Sequence, residues 1–171
     1  MFQRLLHTEN DYTFAALRLI LGIVFFAHGA QKALGWFGGP GFAGIMSSFQ
    51  QMGIPGPLAV LAIAAEFLGG LGLLVGFLAR LAALGVITNM VVAIVLVHSK
   101  VGFFMNWSGN QQGEGFEFHL LAIALGVAVL VKGAGALSID RWLAMHGPYN
   151  DSMTAKSRRG AQLRESGYRA S

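Results

Sequence analysis

Residues Pro57–His98 read PLAVLAIAAEFLGGLGLLVGFLARLAALGVITNMVVAIVLVH. These 42 residues hold two charged side chains, Glu66 and Arg80. A helix that crosses a bilayer needs about 20 consecutive, mainly apolar residues. The stretch therefore reads as two spans, Pro57–Ala79 and Leu81–His98, with Arg80 as essentially the whole linker. So short a linker forces a tight antiparallel hairpin.

Two further apolar runs frame it, Tyr12–Trp36 and Phe116–Val131. The composition agrees, with 54% hydrophobic residues and a mean hydropathy of +0.58. Only 12% of residues are charged, against roughly 25% in an ordinary soluble domain. The expected fold class is all-α, a four-transmembrane-helix antiparallel bundle in the lipid bilayer. The third and fourth spans are near the short end of the range. The first run is expected to stay as an anchor, because Glu9 and Asp11 precede it and its apolar run continues past the small residues at Ala27 and Gly29.

Lysine and arginine placement sets the expected orientation. Arg4, Arg18, Arg80, Lys132, Arg141, Lys156, Arg158, Arg159, Arg164 and Arg169 fall on one side. Only Lys32 and Lys100 of the 12 fall on the other. The expectation is a multi-pass protein of the bacterial inner (plasma) membrane with both termini cytoplasmic. Residues 1–147 form the transmembrane domain. Residues 148–171 form a basic, disordered cytoplasmic tail. In the first outer loop Phe42, Ile45, Met46, Phe49 and Met52 recur at helical spacing, which predicts a short interfacial helix. A second is expected after the fourth span, in LSIDRWLAM, with Ser138 as N-cap. The outer loop before the fourth span is glycine- and amide-rich, hence irregular.

The absence of cysteine excludes disulfides, thiolate metal ligation and dithiol chemistry. No phosphate loop, Ser-His-Asp arrangement or His-Glu-x-x-His motif is present, and no nucleic-acid-binding pattern accompanies the net charge of +4. No metal site is expected. Haem is not expected either, since His28, His98 and His119 lie near helix ends.

The chemistry must therefore come from polar side chains inside the spans. Glu66 lies nine residues past Pro57, about 13 Å down a helix at 1.5 Å per residue, in a hydrocarbon layer about 30 Å thick. It cannot reach water by snorkelling. A central acidic side chain costs on the order of 3 kcal/mol, and one leucine returns only about half a kcal/mol. Glu66 must be protonated, paired or facing a wet cavity. Gly69 and Gly70, on its face, let a neighbouring helix approach.

In the first span Arg18, Gly22, Phe25, Gly29 and Lys32 form one stripe, with His28 and Gln31 beside its outer end. The topology puts His28, Lys32, Glu66, His98, Glu117 and His119 in the outer half of the membrane, as one candidate pocket. Glu117 and His119 are about 160° apart on a regular helix, and Asn89 and His98 about 180°. One of each pair is expected to face the centre, with Glu117 preferred over His119. The bland reading is a bundle lock in which Glu66 pairs with Lys32 or Arg18. Six polar groups exceed what a lock requires.

The residues in these spans resemble the DoxX family of small bacterial membrane proteins. The first span, RLILGIVFFAHGAQKALGWFGG, matches at Arg18, Gly22, Phe25, His28, Gly29 and Lys32. The second, AAEFLGGLGLLVGFLAR, matches at Glu66, Gly69, Gly70, Leu73, Gly76 and Arg80. The ending, GAGALSIDRWL, matches at Gly133, Gly135, Ser138 and Asp140, after Glu117. The resemblance covers about residues 12 to 145. It implies a four-helix protein of the inner membrane, in a family with thiosulfate:quinone oxidoreductase subunits and components of membrane redox complexes. Without cysteine, a quinone or a partner subunit must carry the electrons.

The leading expectation is an oxidoreductase subunit or redox-complex component, linked to quinone or thiosulfate. Glu66 or His28 would move the proton. Lys32 and Arg18 would neutralise an anion or polarise a quinone carbonyl. Glu117, His98, His119 and Gln31 complete the set of ligand-binding residues. Two alternatives are a small proton-coupled transporter and a non-catalytic scaffold for membrane or soluble redox partners.

Overall fold

The computed structural model describes Leu6 and residues 8–146. The expected disordered tail falls outside the described residues. Among these residues all regular structure is helical. Six α-helices follow in order: α1 Tyr12–Leu34, α2 Gly41–Gln51, α3 Gly56–Val75, α4 Ala79–Leu96, α5 Glu117–Lys132 and α6 Ile139–His146. Short 3₁₀ turns at Trp36–Gly38 and His98–Lys100 follow α1 and α4.

Helices α1, α3 and α4 are long and apolar enough to cross a membrane. Helix α5 has 16 residues, so at 1.5 Å per residue it reaches about 24 Å, short of a 30 Å hydrocarbon core. Helix α1 packs on α3 and α5, and α4 packs on the same two. The core between them contains Leu21, Phe25, Leu73, Ala83, Val86 and Val129. Ile20, Ile23, Leu61, Leu68, Val95 and Leu121 point outward and are exposed. Large apolar side chains on the outside, with charge within, suit a lipid solvent.

Glycines set how closely the helices approach. A Cβ on Gly29 would lie 2.4 Å from the Phe67 backbone, and one on Gly70 2.3 Å from Phe26 N. Contacts this short against backbone cannot be relieved by a side-chain shift, so α1 and α3 touch main chain to main chain there. Gly69, expected to share this role, instead faces α4 at ordinary contact distance.

The α3–α4 turn is not Arg80 but Gly76–Leu78. Gly76 and Leu78 take left-handed φ of 67° and 48°, and Phe77 N–H closes α3 on the Gly72 carbonyl at 2.9 Å. This is the usual way of satisfying the last carbonyls of a helix. Arg80 lies in the first turn of α4, where its guanidinium donates to the Leu130 and Val131 carbonyls at the end of α5. Helix α2 forms where the apolar spacing predicts it, and none of its residues is buried. Ser138 opens α6, accepting from Arg141 N–H at 3.3 Å.

Candidate functional site

Lys32, near the end of α1, and Glu66, at the middle of α3, meet across the glycine contact. Lys32 Nζ lies 2.5 Å from Glu66 Oε1. Asn89 Nδ2, from α4, donates to the same oxygen at 2.9 Å. Three helices thus converge on one carboxylate that is only 4% exposed. The other oxygen, Oε2, is buried with no hydrogen-bond partner. A buried unsatisfied carboxylate oxygen is costly, and such atoms in a native fold call for a reason.

A second pair of polar groups forms where α4 ends and α5 begins. His119, on the first turn of α5, is 6% exposed, and its Nδ1 is also buried without a partner. Its ring centre is 4.0 Å from that of His98. His98 is held by its Nδ1, 2.7 Å from the Glu114 carbonyl. That contact makes Nδ1 the donor and leaves Nε2 as the basic nitrogen.

The sequence expectation that His98 and Asn89 cannot both face inward assumed one continuous helix. Helix α4 ends at Leu96, and Val97 departs from helical geometry with φ −122° and ψ −62°. That break lets Asn89 reach Glu66 and His98 reach His119. The preference for Glu117 over His119 is likewise reversed. Glu117 Oε1 accepts from Met105 N–H at 2.9 Å and Trp107 Nε1–H at 3.1 Å, so this carboxylate holds the outer loop. Asn89 was visible in the sequence as an amide within a span, and a regular-helix projection set it aside.

Arg18 does not join the cluster, and the expected Arg18–Glu66 pair is not formed. Arg18 is fully buried, so it does not snorkel. Its Nε donates to the Ala134 carbonyl at 2.7 Å, Nη1 to those of Leu73 and Leu74 at 2.5 and 2.9 Å, and Nη2 to that of Leu137 at 3.2 Å. The guanidinium closes the last turn of α3 onto the loop after α5, where a cation also meets the negative helix end. Nearby, Asp140 Oδ1 and Oδ2 accept the N–H groups of Leu78 and Ala79 at 2.7 and 2.9 Å. That caps the first turn of α4. Burial pushes the Asp140 carboxyl upward from its ordinary value, against the pull of those donors and of Arg18 and Arg80. Gly76 is needed here, since a Cβ would lie 2.4 Å from Ser138 Cβ.

His28 is exposed on α1, its ring 6.2 Å from that of Phe118. Gln31 Nε2 reaches the Phe37 carbonyl at 3.5 Å. Neither side chain is part of the Lys32–Glu66–Asn89 contact. Two open grooves lie elsewhere, of about 670 Å³ between α2 and the start of α3 and about 290 Å³ between α3 and α4. Neither lining includes Lys32, Glu66 or His119. The larger groove is lined by Ala43, Met46, Ser47, Gln50 and Gly53–Gly56, none of them ionisable. Among the described residues, no three His, Asp or Glu side chains are grouped as a metal site.

Comparison with known proteins gives a consistent picture. The DoxX family model matches residues 13–99. The inner membrane protein YqjF of Escherichia coli (strain K12) is 32% identical over 134 residues, covering 78% of this chain and 94% of that protein. The Mycobacterium tuberculosis (strain ATCC 25618 / H37Rv) protein named "Uncharacterized membrane protein Rv3486" is 33% identical over 147 residues, covering 82% and 87%. A Bacillus subtilis (strain 168) protein named "Putative oxidoreductase CatD" is 27% identical over 139 residues, covering 81% and 92%. No solved structure matches.

Proposed function

Because this chain belongs to the DoxX family, we propose that it is a membrane-embedded subunit of a redox complex whose Lys32–Glu66–Asn89 cluster receives a quinone head group. In this reading α5 completes a four-span antiparallel bundle in the inner membrane. Both termini are cytoplasmic, and the cluster lies in the outer half. The name of the Bacillus subtilis relative supports a redox role.

The observation that carries the reading is the unsatisfied Oε2 of Glu66. A lock would use both carboxylate oxygens, or an apolar pair in their place, because a buried ion pair by itself adds little stability. Here one oxygen holds two donors and the other is left over. A quinol hydroxyl is a donor of the right kind for it. Lys32, 27% exposed at its side chain, keeps further N–H donors for a quinone carbonyl. The internal Lys32–Glu66 pair is electrically neutral, which favours a neutral head group over an anion such as thiosulfate. Arg18 is spent on carbonyls at the other end, which leaves Lys32 as the Lys or Arg at this contact among the described residues. The chain would bind and orient the quinone and exchange its proton at Glu66. Electrons would come from a partner subunit.

The test is quinone binding by the purified full-length protein, with Glu66→Gln beside the wild type. Binding by the wild type that is lost in the variant supports the reading. Equal binding in both refutes the role of Glu66.

A further inference from the structure

We propose that the loop between α4 and α5, residues 101–116, is a membrane anchor whose aromatic side chains lie among the lipids of the outer leaflet. The inference rests on the reading of α5 as a fourth span and names what completes it. At about 24 Å, α5 falls about 6 Å short of the hydrocarbon core. A short span is accommodated by a thinner bilayer, by its flanking residues or by association. The flanking residues on this side are aromatic. Phe103, Phe104 and Trp107 are 45%, 67% and 86% exposed. Phe103 stands at the start of α5, where its carbonyl accepts Glu117 N–H at 2.9 Å and its ring lies 5.4 Å from that of Phe116. Leu120 and Leu121, one turn further on, are exposed as well. Exposed apolar side chains thus continue from the helix into the loop. Such a cluster is unfavourable in water and suits the interfacial layer, where tryptophan rings collect.

The obstacle to placing a loop there is its backbone, because polar groups left unpaired away from water are costly. Here the N–H groups beside the aromatics are drawn inward. Met105 N–H donates to Glu117 Oε1 at 2.9 Å, and Asn106 N–H to Glu114 Oε2 at 2.8 Å. Trp107 N–H donates to the Met105 carbonyl at 2.9 Å. Its indole Nε1–H is held by Glu117 at 3.1 Å, which leaves the apolar body of the ring outward. Phe116 N–H closes the loop on the Gly102 carbonyl at 3.1 Å. Gly115 permits that closure, since a Cβ there would lie 2.2 Å from the Phe104 carbonyl oxygen. The polar tip, Ser-Gly-Asn-Gln-Gln at residues 108–112, is exposed and would face headgroups and water. The length that α5 lacks selects lipid as the occupant over a second copy of the chain.

The chain has no cysteine, so a single-cysteine variant takes one nitroxide label. The full-length protein is placed in phosphatidylcholine vesicles. Electron paramagnetic resonance then compares access of the label to oxygen, which concentrates in lipid, and to a water-soluble nickel chelate. The label in Phe104→Cys should favour oxygen, as should that in Leu121→Cys on α5, whereas that in Asn110→Cys should favour nickel. A Phe104→Cys label that favours nickel would overturn the anchor. If the Leu121→Cys label still sits in lipid, the fourth span stands and only the anchor falls. A Leu121→Cys label in water removes the span and the anchor with it. A Phe104→Cys label shielded from both reagents would mean a protein partner and would also overturn the proposal. Because that label replaces one of the rings, Trp107 is read in the double variant Trp36→Phe, Trp142→Phe. It should lose most of its emission to lipid brominated on the upper acyl chain and little to aqueous iodide; the reverse would overturn the anchor. Quinone binding at Glu66 is decided by its own assay, whichever way these fall.

Discussion

Replacing Arg18 by Met should destabilise the fold by about 3–5 kcal/mol, from the cost of leaving buried carbonyls unpaired. The side chain donates to four of them, those of Ala134, Leu73, Leu74 and Leu137. The Leu73 carbonyl keeps a long bond from Gly76 N–H at 3.3 Å. The other three lose the donor that Arg18 supplies, at about 1–3 kcal/mol each. Relief from burying a guanidinium gives part of that back. Methionine fills similar length, so little of the loss is cavity. Lysine is the sharper control. It keeps the charge but offers a point of three donors in place of a planar fork, and it should recover less than half of the loss. The assay is thermal unfolding in mild detergent, followed by tryptophan fluorescence. A stability change below about 1 kcal/mol, coupled with loss of quinone binding, would refute this reasoning and return Arg18 to the ligand site.

Other outcomes follow from the same geometry. Gly29→Ala places a Cβ 2.4 Å from the Phe67 backbone, and should cost about 1–3 kcal/mol by overpacking. Gly85→Ala meets only Ala65 Cβ at 3.7 Å and should be neutral or stabilising by up to about 1 kcal/mol; the same melts decide both. Asp140→Asn keeps one acceptor for the two N–H groups that now have two, a loss of about 1 kcal/mol as for a helix cap, which relief from burying the charge offsets, so stability at neutral pH should change by less than that. Burial raises the Asp140 pKa in the fold, so the folded state binds this proton more tightly. Wild-type stability from that group is therefore fully present below the ordinary carboxylate pKa and is lost as pH rises through the raised one. A pH series of melts should show that slope in the wild type and a flatter one in Asp140→Asn. Deleting residues 149–171 tests the scaffold alternative, since recovery of redox partners from gently solubilised membranes should survive the deletion if the cluster is the working part.

The helical fold was legible because apolar runs longer than a globular core helix admit few other readings. The hairpin at residues 57–98 was legible from its short linker, though Gly76–Leu78 and not Arg80 makes the turn. The meeting of Lys32 and Glu66 was legible too, because a mid-span carboxylate must be matched and the glycines of α1 and α3 mark the closest helix contact. What the sequence hid were departures from regular helices. The break at Val97 cannot be read from apolar periodicity, and it decides where His98 and Asn89 point. The rotation of α5 is set by the outer loop, which draws Glu117 outward and turns His119 in. Arg18 looked like a ligand group because its role depends on carbonyls from α3 and from a loop more than a hundred residues away in sequence.

Native mass spectrometry of the protein extracted gently from its membrane tests the central claim most directly, comparing wild type with Glu66→Gln. The account predicts a quinone-mass adduct on the wild type that is absent from the variant. A wild type without such an adduct, or an adduct kept by Glu66→Gln, would contradict it.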